Sequence, residues 1–377
     1  MWTIPLFISF DEKIPKCGQI VIDRMRNWAE HTVYDIKRIL GKNFEDIIVD
    51  PSWPFKISSE RSDILIEVKT HEGKEKINAE RVAGDLLKNI KKSIEEHENR
   101  TLTDVVISVP LAISEKQKSA TKKAAEYAGW KNINFIPEPV AAAFAYFSKM
   151  DIPNKSIILI FDFGGGNVDI CIAKIIGDNL KILTYNGDSY LGGSNFDRLL
   201  YDHFASILTN EHGINLTQNN NNKFRLTNKC KEIKHSLSSE NDSSLDVSDF
   251  SPDRDDFIEI TRDEFETMSE DLMVRTKNVI LRALSNANLQ TNDINYVFQV
   301  GGGCRMPMVK KLLMETFPSS DHRCSTCPEE VVAHGAAAYA YYLKGLEENI
   351  AYFGIDFKAS KIAFSESVQS TIESKDY

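Results

Sequence analysis

Beyond Asn78 the apolar residues Val82, Leu86, Leu87, Ile90 and Ile94 recur at helical spacing, which predicts a long amphipathic helix with Asn78 as its N-cap. Its lysines Lys88, Lys91 and Lys92 are expected to form the solvated face. Asp104 to Val109 reads as a buried strand. Ser114 followed by Gln117 has the spacing of a capping box and opens a helix that Gly129 closes. Asn132 to Ile136 is a second short strand, and Pro139 starts an alanine-rich helix through Tyr146.

A new unit begins near Ser156. The run Ile157-Ile158-Leu159-Ile160-Phe161 has the length and branching of a buried strand, and Val168 to Ile176 and Leu180 to Tyr185 read as two more. Glycine turns at Gly164 to Gly166 and at Gly177-Asp178-Asn179 join them into a meander. Further on, Ile294 to Val300 predicts a strand, Gly301 to Gly303 a turn, Met306 to Phe317 a helix, and Pro328 onward a second alanine-rich helix. The segment Val140 to Tyr146 parallels Gly335 to Tyr341. That echo fits either an internal duplication or two helices that each pack closely through alanine.

Between these strongly patterned segments, Leu191 to Asp271 is more polar. The run Asn219 to Asn222 reads as an exposed loop and Ser238 to Asp256 as a surface excursion. From Glu347 the tail has one apolar cluster, Ile350 to Phe353. The chain has 377 residues, 42% hydrophobic and 27% charged, which are globular values. A net charge of -10 argues against nucleic acid as the main partner, because whole-surface attraction to phosphate needs a basic stripe. No apolar run is long enough to span a bilayer and no secretory leader is evident, so no membrane partner is expected. The cysteines Cys17, Cys171, Cys230, Cys304, Cys324 and Cys327 form no disulfide framework, which fits a reducing compartment, cytoplasmic or also nuclear. Cys324 and Cys327, with His322 and His334 nearby, make a candidate metal or redox site.

Two glycine turns carry candidate chemistry. A strand that ends in Asp162 and turns through Gly164, Gly165 and Gly166 presents backbone N–H groups to phosphate oxygens, because glycine lets the backbone approach closely. Asp162 and Asp169 are placed to hold Mg2+ through water. The second turn, Gly301-Gly302-Gly303-Cys304-Arg305, would suit a flat adenosine, with Arg305 against the base or reaching phosphate. On the residues alone, each turn also reads as an ordinary hairpin or strand-to-helix connection.

The segments IFDFGGGNVD from Ile160, YLGGSNFD from Tyr190, VGGGCRMP from Val300 and PEPVAAAFAY from Pro137 resemble, in order and spacing, the signature stretches of the Hsp70 nucleotide-binding domain. TVYDIKRILG from Thr32 and VISVPLAISEKQKSATKKAAEYAG from Val106 are similar as well. This resemblance, from about Pro5 to Leu343, implies an α/β, two-lobed actin-like ATPase fold, a duplicated RNase H-like meander plus helices. It implies residues 1–151 as a first lobe (1–81 outer, 82–151 inner, completed by 328–347), 152–327 as a second lobe (192–271 outer), and 348–377 as a tail. Expected cofactors are ATP or ADP with Mg2+. Lys37 resembles the lysine that reaches the terminal phosphate and the attacking water, and Glu138 the carboxylate that helps place water and metal. Gly164, Gly165, Gly166 and Asn167 fall on the phosphate turn and Gly193 on the lobe-closing contact. Lys231, Lys234, His235 and Ser238 fall on the adenosine-facing helix, with Gly301, Gly302, Gly303, Arg305 and Glu329 across the base.

Asn167 stands where the family has threonine, Lys231 where it has a ribose-binding glutamate, and His235 where it has an arginine that stacks on adenine; a one-residue shift would let Glu232 supply the lost carboxylate. Gly303 replaces a serine and Glu329 an aspartate. The resemblance begins beyond the family's first phosphate hairpin and ends before its peptide-binding domain. The expectation is a first lobe with an incomplete sheet, a chaperone ATPase by kinship with weak or lost hydrolysis, and J-domain proteins and nucleotide exchange factors as partners. The rival expectation is a noncatalytic nucleotide-binding interaction module.

Overall fold

Alternation marks one sheet of the structure. In β5 (Asp63–Thr70) the residues Ile64, Ile66, Val68 and Thr70 are buried while those between them are not, the period of a strand with one covered face. The computed structural model describes residues 3–348 apart from 51, 62, 178, 215 and 217–219. The chain divides into two compact units, Met1–Phe135 and Ile136–Tyr377.

In the first unit, β1 (Ile8–Ser9) lies between β2 (Lys16–Cys17) and β3 (Thr32–Val33), with α1 (Gln19–Trp28) intervening in sequence. β4 (Lys56–Glu60), β5 and β6 (Gly73–Asn78) form an antiparallel sheet. α2 (Ala79–Glu98) starts at the expected cap, the Asn78 side chain accepting from the Arg81 amide at 2.8 Å. β7 (Asp104–Val109) is followed by α3 (Glu115–Tyr127), whose capping box closes through Ser114 and Gln117 at 3.2 and 3.1 Å. Among the described residues β8 (Asn132–Pro137) pairs with β7 alone. β7 therefore departs from the buried strand its apolar run predicts: Val109 is buried, but Val105, Val106 and Ile107 are only partly covered, since among the described residues no third strand flanks the ribbon, although Ala125, Ala128 and Trp130 pack on Val105 and Ile107. The lysine face of α2 differs too. Lys92 is exposed, but Lys91 packs over Trp130 at 5.4 Å and bonds Glu95 at 2.7 Å, its methylene stem serving as apolar cover.

The second unit opens with α4 (Glu138–Phe147) and the meander β9 (Ile157–Phe163), β10 (Val168–Ile176) and β11 (Asn179–Asp188). Then come α5 (Gly193–Asn210), α6 (Asn220–Ser239), β12 (Asp242–Asp246), β13 (Phe257–Thr261), α7 (Arg262–Met268) and α8 (Glu270–Asn286). β14 (Tyr296–Val300), α9 (Pro307–Thr316), β15 (Asp321–Cys324) and α10 (Val331–Glu348) complete it. The sheet order is β11-β10-β9-β14-β15, antiparallel through the meander and parallel from β9 to β14 to β15.

One face of this sheet, with Leu159, Phe161, Phe163 and Ile170, shares a core with Phe196 and Phe204 of α5 and Val279 of α8. On the other face, Tyr146 stacks on Phe298 at 4.3 Å and donates to the Gln299 carbonyl at 2.7 Å. α4 packs against α10, and a Cβ on Gly335 would overlap the Ala141 carbonyl. Close helix approach thus explains the alanine-rich echo in those two segments.

Several loops turn out to be structured. Asn220 to Asn222 begin α6, while Asn219 lies outside the described residues. Within Ser238 to Asp256 the surface excursion is confined to the tip: β12 pairs with β13, and Leu245 and Val247 are wholly buried in the core. Leu245, Val247 and Phe250, with Ile258 and Ile260 of β13, anchor that hairpin among its serines and aspartates. The turn after β14 is a helical turn, Gly302–Arg305, so α9 begins at Pro307, and the second alanine-rich helix begins at Val331 after a separate turn at Pro328–Glu330. The expected tail cluster Ile350 to Phe353 lies outside the described residues. No described helix is long and apolar enough to cross a membrane.

Candidate functional site

The turn between β9 and β10 is built by register. Asp162 pairs with Asp169 and Phe163 with Val168, so the four residues Gly164 to Asn167 cap the ribbon, and the Gly164 amide donates to the Asn167 carbonyl at 3.0 Å. The first amides of α5 then dock on this turn, Gly193 donating to the Gly164 carbonyl at 3.0 Å and Ser194 to the Gly165 carbonyl at 2.7 Å. Gly192 makes the approach feasible: a Cβ there would lie 2.6 Å from the Asn167 nitrogen and from Gly166. What the turn leaves outward is the exposed edge at Gly165 and Gly166, with open space where side chains would stand. A glycine edge joined to a helix N-terminus is suited to phosphate oxygens.

Beneath that edge lie the carboxylates. Asp169 accepts from the Asn167 amide on one oxygen and from the Tyr185 hydroxyl on the other. Burial pushes its carboxyl above the ordinary range, and those two hydrogen bonds offset this only in part. Gly187, its register partner on β11, leaves the room the carboxylate occupies. Tyr185 is itself raised, by burial first and then by the charges of Asp169 and Glu138, which places Glu138 of the first turn of α4 in the same neighbourhood. Asp162 lies against the second glycine turn, where a Cβ on Gly301 would come 2.7 Å from its Oδ1. Among the described residues no group of three or more His, Cys, Asp or Glu side chains converges as direct metal ligands. The arrangement fits Mg2+ held through water by Asp162 and Asp169, which needs only one or two carboxylates.

Lys234 of α6 does structural work: its Nζ lies 2.7 Å from Asp197 and donates to the Gly193 carbonyl at 3.1 Å, fastening α6 to the start of α5. The Ser238 hydroxyl bonds back to the Lys234 carbonyl at 3.0 Å. Gly301 has φ of 83°, and a Cβ on Gly303 would lie 2.7 Å from the Phe163 carbonyl oxygen, whereas Gly302 faces open space. Arg305 clasps Glu329 with two bonds of 3.1 and 2.8 Å and donates to the Thr326 carbonyl at 3.0 Å. Burial works to raise the Glu329 carboxyl, but Arg305 outweighs it and holds it low. His235 is held below the usual imidazole range by partial burial and then by the charge of Lys234, with Arg305 and Lys231 adding to it. Lys231, His235, Arg305 and Glu329 therefore share one electrostatic neighbourhood beside the Gly301 turn.

Lys37 belongs to the first unit, exposed on the turn Ile36–Arg38. That turn is braced by Asp35, left-handed at φ 58°, which accepts from the Trp53 indole at 3.1 Å, and by Arg38, which donates to Asp50 at 3.1 Å. Among the described residues no metal cluster gathers at the cysteine pair: His322 Nε2 lies 2.9 Å from the Phe317 carbonyl, and His334 lies 3.7 Å from Glu330.

Sequence reasoning missed Tyr185, Gly187, Gly192 and Asp197. Tyr185 and Gly187 sit two apart on β11, on the face that bears Asp169, so strand alternation held a signal once the register was known. Asp197 lay inside the motif from Tyr190, but its pairing with Lys234 crosses 37 positions that no local pattern links.

The family model described as Hsp70 protein matches residues 1–362. A heat shock 70 kDa protein of Neurospora crassa is 30% identical over 346 residues, which is 91% of this chain and 54% of that protein. One from Emericella nidulans is likewise 30% identical over 346 residues, again 91% and 54%. A heat shock cognate HSP70 protein of Trypanosoma brucei brucei is 31% identical over 353 residues, 91% of this chain and 52% of that one. The chain spans about half the length of the curated relatives it matches.

Proposed function

Because the chain belongs to the Hsp70 family, with the mixed α/β architecture of the actin-like ATPase fold, we propose that it binds ATP and ADP with Mg2+ at the Gly164–Asn167 turn. The observation that carries this reading is the docking of α5 on that turn, which leaves a bare glycine edge above Asp162 and Asp169. Bound Mg2+ would supply neutralisation of the phosphate charge. The chain's own residues supply the rest: Gly165 and Gly166 meet phosphate oxygens, and Asp162 and Asp169 orient the metal's water. Arg305, His235 and Lys231 surround the nucleoside. Glu138 is assigned to positioning the attacking water, and Lys37 to the terminal phosphate, the latter on resemblance alone. By kinship the protein is a chaperone ATPase of the cytoplasm, with J-domain proteins and nucleotide exchange factors as its partners.

A second reading, a nucleotide-binding interaction module with little or no turnover, is favoured by one observation. Both Asp169 oxygens accept bonds from the protein, and burial holds its carboxyl toward the neutral form, which weakens its pull on a hydrated cation. Asn167, in place of a threonine, is one of those donors. Calorimetry of the purified protein with Mg-ATP, paired with phosphate release, separates the readings. Heat of binding with phosphate release supports the ATPase, heat without release supports the module, and no heat at millimolar nucleotide refutes both.

A further inference from the structure

We propose that Cys324 and Cys327 form a reversible disulfide that loosens the Arg305–Glu329 clasp and so weakens nucleotide binding under oxidation. The effect on nucleotide rests on the reading above. The effect on the clasp does not.

The pair brackets Thr326, whose carbonyl also holds Arg305, and immediately precedes the turn that carries Glu329. Cys324 ends β15 and is exposed; Cys327 is partly buried and immediately precedes the turn Pro328–Glu330 that carries Glu329. Between them the Thr326 carbonyl accepts from Arg305 at 3.0 Å. Just beyond, the Pro328 carbonyl accepts from the Gly301 amide at 2.9 Å, so the segment also anchors the second glycine turn. Glu329 first, and Cys327 after it, hold the Arg305 guanidinium in its charged form.

Bridging needs Cα atoms about 4.4–6.8 Å apart, against roughly 10 Å for three extended residues. The chain already bends at Thr326 and Cys327, so closure completes a bend that exists. Closing it draws Ser325 and Thr326 into a tight ring and turns the Thr326 carbonyl away from Arg305.

The other thiols compete poorly because burial disfavours their thiolates, Cys304 included although it lies within electrostatic reach of Cys324. Cys171, Cys230 and Cys304 are buried, and burial pushes Cys17, Cys171 and Cys230 up to about 12, which keeps them protonated and slow in exchange. Burial raises Cys324 as well, with Glu329 adding to it, and Lys310 and Arg305 offset this only in part; its exposure is what sets it apart.

The oxidant is a low-molecular-weight disulfide. The Cys324 thiolate attacks one of its sulfurs, breaking the S–S bond and expelling one thiolate. The Cys327 thiolate then attacks the Cys324 sulfur of the mixed disulfide and expels the second. Two protein thiols lose two electrons and release two protons, and the reagent leaves as two free thiols.

The test treats the purified chain with oxidised glutathione, then maps disulfides by mass spectrometry. Amide exchange is followed across 301–306 and 326–330 without nucleotide, and Mg-ATP affinity is measured before and after reduction. The expected results are a Cys324–Cys327 peptide, faster exchange in both segments, and affinity weakened about threefold to fivefold and restored by reductant. Cys324→Ser should show none of these responses. A lasting glutathione adduct on Cys324 without a bridge, or a bridge with unchanged exchange, overturns the proposal. Faster exchange with no ATP binding in either state would instead refute the nucleotide reading and leave the thiol switch standing.

Discussion

Lys234→Met tests the assignment of Lys234 as the pin between α5 and α6. The substitution keeps the stem and removes the charge, leaving Asp197, 9% exposed, without its partner 2.7 Å away and the Gly193 carbonyl without its donor. Removing one member of a buried ion pair costs about 3–5 kcal/mol, because the other charge stays buried and uncompensated. Both side chains are 12% exposed, so water reaches the pair's edge and the lower end applies. At that end the melting temperature of the second unit should fall by about 6–12 °C. Lys234→Met with Asp197→Leu removes both charges and should recover most of the loss. Urea unfolding of the parent, both single variants and the double variant gives the coupling energy directly. Amides of Gly193 and Ser194 should exchange faster in the single variant, since the pin holds the start of α5 on the Gly164–Asn167 turn. A Lys234→Met protein within about 1 kcal/mol of the parent, or a double variant as unstable as the sum of its parts, would refute the argument.

Tyr185→Phe removes a donor from partly buried Asp169 and should cost about 1.5–3 kcal/mol while raising the pH at which that carboxyl titrates further. Because the folded-state value already lies above the unfolded one, stability falls as pH rises through the window between them, and the variant should lose more across it; an unchanged carboxyl titration followed by NMR would contradict this. Gly301→Ala places a Cβ 2.6 Å from the Phe163 carbonyl carbon at φ of 83°, and should destabilise by about 1–3 kcal/mol from crowding alone, so a parental melting curve would show the turn to be misread. Lys37→Ala should abolish phosphate release while leaving stability within about 0.5 kcal/mol, since the side chain is exposed; undiminished release would remove Lys37 from the site.

Much of this protein was legible in the chain itself. The strands around the first glycine turn, the cap at Asn78 and the capping box at Ser114 follow from local spacing, because backbone hydrogen bonding and side-chain period are set within a few residues. Family membership was legible for the same reason, since the motifs are contiguous. What spacing could not reach were relations across the fold. Tertiary structure decided that Lys234 is spent on Asp197, that Asp169 is capped on both oxygens by Asn167 and Tyr185, and that Arg305 is held by Glu329 and Thr326. It also made the serine-rich stretch around Leu245 a strand and left β7 partly open. In each case the deciding quantity is burial and the partner that burial makes obligatory, and a sequence specifies that only after the chain has closed on itself.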